Sequence, residues 1–137
     1  MELTGKVAIV TGGASGLGKA FSQVLLKNEC KVCVADLNQQ EGEKTIQELK
    51  KAFGEKNVLF VMCDVSNEKD LEKVFNETVK TFGHVDILVN NAGIGGESRW
   101  KEVISVDLVC EFIFDICPNF RIFLIRDKIF GFTGLLL

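Results

Sequence analysis

Residues 11 to 18 read TGGASGLG, and within that run Gly12, Gly16 and Gly18 set a G-x-x-x-G-x-G spacing. A glycine run between a strand and a helix presents bare backbone amides at the positive end of the helix dipole, and an anion belongs there. Glycine at 12 permits a tight turn. Glycine at 16 lets the backbone approach phosphate oxygens without a Cβ in the way, and glycine at 18 lets the helix pack close to the sheet. Ser15 and Leu17 lie between them in the same loop. The chemistry expected is the grip of a diphosphate. The spacing is not the G-x-G-x-x-G of the more general dinucleotide fingerprint, so its position in the chain carries the argument.

Asp36, followed by Leu37, falls 18 residues after Gly18. At the end of a second strand its carboxylate can accept hydrogen bonds from the hydroxyls of an adenosine ribose. A further phosphate on that ribose would face like charge. At about 4 Å and an intermediate dielectric this costs on the order of 4 kcal/mol, and GGASGLG holds no Lys or Arg to offset it. The expected cofactor is NAD rather than NADP.

The elements that must position these residues follow from periodicity. KVAIVTG, Lys6 to Gly12, is a β-branched run stopping at glycine, as a buried strand does. From Leu17 to Asn28 a helix is expected, with Ala20, Phe21, Val24 and Leu25 on one face. KVCVADL supplies a second strand from Lys31 to Ala35. Asn38 can cap a second helix whose inward stripe is Ile46, Leu49 and Phe53, with Glu41, Glu43, Lys44 and Lys50 outside. NVLFVMCDV is a third strand. SNEKDLEKVFNETVKTF is a third helix, in which Leu71, Val74, Phe75, Thr78, Val79 and Phe82 repeat at three and four and Ser66 or Asn67 is the N-cap. Val85 to Val89 forms the fourth strand.

Strict alternation of strand and helix argues for right-handed crossovers. The fold class is α/β, a Rossmann-like doubly wound parallel sheet of four to five strands in the order 3-2-1-4. A fourth helix is expected from Ser98 or Arg99, with Trp100, Val103, Ile104, Asp107 and Leu108 on its inner face. Pro118 and Asn119 then break the chain, and FRIFLI, Phe120 to Ile125, can pair as a fifth strand that hides the edge of the fourth. The domain expected over residues 1–109 is the cofactor half, and 110–137 is a hydrophobic tail serving as replacement edge strand.

With 137 residues, 47% hydrophobic, the chain can bury one sizeable core. A net charge of -3 with scattered lysines offers no basic stripe for nucleic acid. Charges at Glu2 and Lys6 interrupt any signal-peptide core, and Arg121, Arg126, Asp127 and Lys128 interrupt the apolar tail, so no membrane span and a cytoplasmic setting are expected. Five cysteines are an odd number. Cys30 and Cys33 have redox or metal spacing, but an offset of three in a strand sends them to opposite faces, so no metal site is expected and both read as small buried hydrophobes.

TGGASGLG, the CDV at Cys63 to Val65 and DILVNNAG at Asp86 to Gly93 resemble the short-chain dehydrogenase/reductase family, in its classical branch. The resemblance runs from Lys6 to about Val109. It implies that Asp64 and Val65 contact adenine and that Asn91, Ala92 and Gly93 line the cofactor cleft and brace the sheet. Within the family the chain looks most like NAD-dependent members that oxidise a secondary hydroxyl of a prostaglandin or hydroxy fatty acid to a ketone. Helix four resembles a dimer-forming element, which implies pairing with a second copy or a full-length relative. The family's base is a Tyr-x-x-x-Lys pair preceded by a serine, with an asparagine on helix four. These 137 residues contain no tyrosine, no serine follows Ser105, and Asp107 stands at the asparagine position. His84, the single histidine, falls at the start of strand four, away from the expected crevice. The resemblance therefore implies a bound NAD without turnover by this chain alone.

Overall fold

The computed structural model describes residues 2–92 together with the strands at 121–124 and 135–136. Strand β1 (Val7–Thr11) is buried along its whole length because it is the middle of a parallel sheet, flanked by β2 (Lys31–Asp36) and β4 (Ile87–Asn90). Strand β3 (Val58–Met62) pairs in parallel with the far side of β2. The core of the sheet is thus ordered β3-β2-β1-β4, as the alternation predicts. In register, Ile9 lies opposite Cys33 on one side and Leu88 on the other.

Successive side chains of each strand feed opposite layers. Helices α1 (Gly16–Lys27) and α2 (Gln39–Phe53) cover the face carrying Ala8, Val10, Val32, Val34, Ile87 and Val89, with Leu26, Ile46 and Leu49 packed into it. Helix α3 (Glu68–Phe82) covers the other face, where Leu71, Val74 and Phe75 meet Ile9, Cys33, Ala35, Val61 and Leu88. Burying each such aliphatic or aromatic side chain contributes about 1.5–3 kcal/mol, which is what holds three amphipathic helices to the sheet. The N-caps of α2 and α3 are asparagines. Asn38 Oδ1 accepts from the Glu41 amide at 3.0 Å, and Asn67 Oδ1 accepts from the amides of Lys69 at 3.0 Å and Asp70 at 3.3 Å. Of the two candidates for α3, Asn67 therefore caps the helix, and Ser66 turns to Asp64 instead.

Helix α1 departs from its sequence pattern. Its buried residues are Gly18, Ser22 and Leu26, while Ala20 and Val24 of the apolar face are exposed and Phe21 and Leu25 half-buried. The cause is steric: small residues at 18 and 22 let the helix axis approach the sheet, so the face without bulk goes inward. In α2, Ile46 and Leu49 are buried as spaced, Phe53 sits at the margin, and Gly42 and Thr45 complete the inner stripe.

Strand β5 (Arg121–Leu124) pairs in parallel with β4, and β6 (Leu135–Leu136) adds antiparallel to β5, so among the described residues the sheet has six strands with β6, not β5, at that border. The fourth helix expected from residue 98, with Asp107 and its dimer-forming role, lies outside the described residues, as does Gly93. Cys33 and Cys63 belong to the α3 layer and Cys30 to the opposite one, so the CKVC pair is split across the sheet. All three are free, buried thiols. Among the described residues no helix is long and apolar enough to cross a membrane.

Candidate functional site

The parallel strands β1, β2, β3 and β4 end on one side of the sheet, and the glycine loop begins there, between β1 and α1. Its glycines answer different constraints. Gly12 is left-handed at φ +64, and a Cβ on it would stand 2.9 Å from the Ala92 Cα. Gly16 is also left-handed, at φ +53, but has open space where its side chain would be. Gly18 has an ordinary φ, yet a Cβ on it would come within 2.1 Å of the Gly12 carbonyl oxygen and 2.5 Å of the Asn91 amide nitrogen. The first needs a turn and a close approach, the second an open backbone, the third close contact of the helix with the Gly12 carbonyl and Asn91.

Ser15 takes the N-cap position of α1 with extended backbone but makes no side-chain capping bond, and no acidic residue stands in the first turn. By contrast α2 and α3 are side-chain capped and carry acids in their first turns. The first amides of α1 are thus free of a side-chain acceptor, and Leu17 beside them is 54% exposed. Such an end favours an anion.

Asp36 closes β2 beside this loop. Its Oδ2 accepts from the Ala14 amide at 3.0 Å and its Oδ1 from the Asn38 amide at 3.0 Å. A carboxylate accepts at about four lone-pair positions, so two of them remain for an incoming hydroxyl. Leu37, next along the chain, is 66% exposed, an apolar surface at the rim. Asp64 and Val65 follow β3, whose end is tied to β2 by the Cys63 amide donating to the Asp36 carbonyl at 2.9 Å. Asp64 Oδ1 accepts from the side chain of Ser66 at 2.6 Å and from its amide at 2.9 Å, and these bonds hold its carboxyl below the usual carboxylate range. Val65 is half-buried against the α3 layer.

Asn91 and Ala92 brace the loop from β4. The Asn91 side chain donates to the carbonyls of Thr11 and Gly12, each at 3.3 Å, and the amides of Asn91 and Ala92 both donate to the Thr11 hydroxyl at 3.1 Å. Sequence reasoning missed three groups in this frame. Thr11 is the hydroxyl on which those amides converge. Asp70 Oδ2 accepts the Asp64 amide at 3.0 Å. Thr45 Oγ1, buried on α2, donates to the Ala14 carbonyl at 2.5 Å. For Thr45 a signal existed, since it falls on the same helical stripe as Ile46 and Leu49; for Thr11 the partners are some 80 residues away and no local pattern marks it.

His84 lies at the opposite end of the sheet, its Nε2 2.9 Å from Asp86 Oδ2, which also accepts the Val7 amide at 2.8 Å. It ties β1 to the entry of β4. Among the described residues no cluster of His, Cys, Asp and Glu could hold a metal ion.

A family model described as short chain dehydrogenase matches residues 6–114. The chain is 44% identical over 109 residues to 15-hydroxyprostaglandin dehydrogenase [NAD(+)] of Mus musculus, covering 80% of this chain and 40% of that protein. The Homo sapiens protein of the same name is 40% identical over 109 residues, with 80% of this chain and 41% of that protein covered. The chain thus spans about two-fifths of the length of these curated relatives. Among solved structures, a short chain dehydrogenase/reductase from Burkholderia phymatum in complex with NAD superposes with a TM-score of 0.71 at 30% identity, covering 88% of this chain and 46% of that one.

Proposed function

The chain belongs to the short chain dehydrogenase family, and on that premise we propose that it binds NAD in the crevice between the glycine loop and Asp36. The diphosphate lies against the loop from Gly12 to Gly18, Ser15 and Leu17 included. Asp36 takes the adenosine ribose hydroxyls, and Leu37, Asp64 and Val65 flank the adenine. Asn91 and Ala92 line the cofactor cleft. The observation that carries this reading is the pairing of an α1 terminus lacking any side-chain cap with a carboxylate that already holds the loop beside it. When bound, NAD supplies the hydride acceptor for oxidation of a secondary alcohol, and the names of the relatives at 40–44% identity support a hydroxyprostaglandin as the substrate class.

What these residues do is bind and orient. The loop amides neutralise phosphate charge, Asp36 rejects a 2′-phosphate, and the apolar rim excludes water from the adenine. Proton abstraction from an alcohol needs a group with a lowered pKa near the reacting carbon. The family's tyrosine is absent from the 137 residues, so they hold cofactor without turnover of their own. Free, buried thiols support a reducing, cytoplasmic setting.

Titration of the purified chain with NADH, followed by its fluorescence, is expected to saturate, with NADPH weaker by at least tenfold. Absence of a saturable signal from folded protein overturns the reading, and reduction of NAD by the chain with a secondary alcohol overturns the claim of no turnover.

A further inference from the structure

The two peptide planes that meet at Ala14 are each held by one hydrogen bond. The Ala14 amide donates to Asp36 Oδ2 at 3.0 Å, and the Ala14 carbonyl accepts from the Thr45 hydroxyl at 2.5 Å. Both Ala14 and Thr45 are 1% exposed, so water does not compete for either group. The Ala14–Ser15 plane, which carries the Ser15 amide, cannot rotate without breaking the bond from Thr45, and its orientation fixes where the amides of Ser15 and Gly16 point.

The two grips are also connected to one another. Asp36 Oδ1 accepts the Asn38 amide, Asn38 caps α2 through the Glu41 amide, and α2 carries Thr45 on its buried face. The path runs from Ala14 through Asp36, Asn38 and the first two turns of α2 to Thr45, and returns to Ala14. A closed hydrogen-bonded circuit thus joins the carboxylate at the ribose position to the amides at the diphosphate position. Gly42, one turn before Thr45, presses α2 against the Phe60 ring and sets the depth at which the hydroxyl sits.

We propose that Thr45, a residue outside the loop and out of reach of the crevice, is a positioning residue for the diphosphate cradle and acts through the Ala14 peptide. The proposal rests on the NAD-binding reading and deepens it. Loss of the hydroxyl leaves a buried carbonyl without a donor. The peptide then turns to recover one, and the Ser15 and Gly16 amides leave their alignment with the phosphates. Adenosine, which lacks the diphosphate, does not depend on that alignment.

The test compares ADP-ribose, by calorimetry, with adenosine, by ligand-observed NMR, on the full chain and its variants. Thr45→Val is expected to weaken ADP-ribose by about 3- to 10-fold, the worth of one buried hydrogen bond, with adenosine unchanged. Thr45→Ser, which keeps the hydroxyl, is expected to restore ADP-ribose affinity. Thr45→Ala removes the hydroxyl without placing a new methyl against the loop and serves the same comparison should the valine variant not fold. Leu49→Ala, one turn along α2, loosens the helix without touching Ala14 and should leave the ratio of the two affinities as it is. Equal ADP-ribose binding by the hydroxyl-less variants, or equal loss of both ligands, overturns the inference and leaves the cofactor reading standing. No ADP-ribose binding by the unsubstituted chain overturns both.

Discussion

At the scale of single residues the glycine loop separates two kinds of constraint. Gly16 is constrained by torsion, since its φ is +53 and nothing stands within 4 Å of the place a methyl would take, whereas Gly18 is constrained by space, its absent Cβ overlapping the Gly12 carbonyl at 2.1 Å. The two positions should therefore fail differently. Gly18→Ala must push α1 off the loop and is expected to cost about 1–3 kcal/mol of stability and to abolish NADH binding. Gly16→Asn, a residue tolerant of left-handed backbone, should fold with a loss below about 1 kcal/mol while weakening NADH, because its side chain projects into the space left for phosphate. Thermal melts and NADH titrations of the two variants check this. If Gly18→Ala melts and binds like the parent, the close contact of loop and helix does not exist in solution.

At the scale of elements, α2 shows how a helix reaches its depth. Gly42 would carry a Cβ 2.1 Å from the Phe60 ring, so β3 and α2 meet closely at that one turn. Alanine in a helix interior gains about 1 kcal/mol over glycine, but here the gain is opposed by the displaced ring. Gly42→Ala alone is expected to destabilise by about 1–2 kcal/mol, and Gly42→Ala with Phe60→Leu to recover most of that. Urea unfolding of the single and double variants measures the coupling, and additive losses would show that the ring is not what the methyl meets. The same elements mark how far the sequence could be read. Helix α3 was legible because its large residues Leu71, Val74 and Phe75 are its buried ones. The inner face of α1 was not, because Gly18 and Ser22 carry no hydrophobic signal and are buried through closeness alone. Strand order followed from alternation, and Gly12, Gly16, Gly18 and Asp36 from spacing. Thr11 was hidden because hydrogen bonds across about 80 residues leave no trace in local pattern, whereas the stripe of Ile46 and Leu49 marked Thr45 as buried without marking its partner 31 residues away.

At the scale of the whole molecule, stability against pH reflects thiols sealed in the sheet. Burial pushes Cys33 up to about 12, and burial with the nearby carboxylates of Asp70, Asp64 and Asp36 does the same for Cys63. Below their ordinary value near 9 these groups are protonated folded or unfolded, and their full contribution is present. Between about 9 and 12 the unfolded chain ionises while the folded one does not, so stability falls as pH rises, by at most about 1.4 kcal/mol per pH unit for Cys33. Urea unfolding from pH 8 to 10.5 should show that decline, and Cys33→Ala should flatten it by about that slope; an unchanged slope would mean that Cys33 is not sealed. A second consequence belongs to synthesis. The central strand β1 is flanked by β4, and the Thr11 hydroxyl waits for the amides of Asn91 and Ala92. A ribosome adding about 5–20 residues per second needs roughly 4–16 s to make those partners after Thr11. For that interval the strand that ends buried along its whole length has at least one flank bare, and holdase chaperones should find it there.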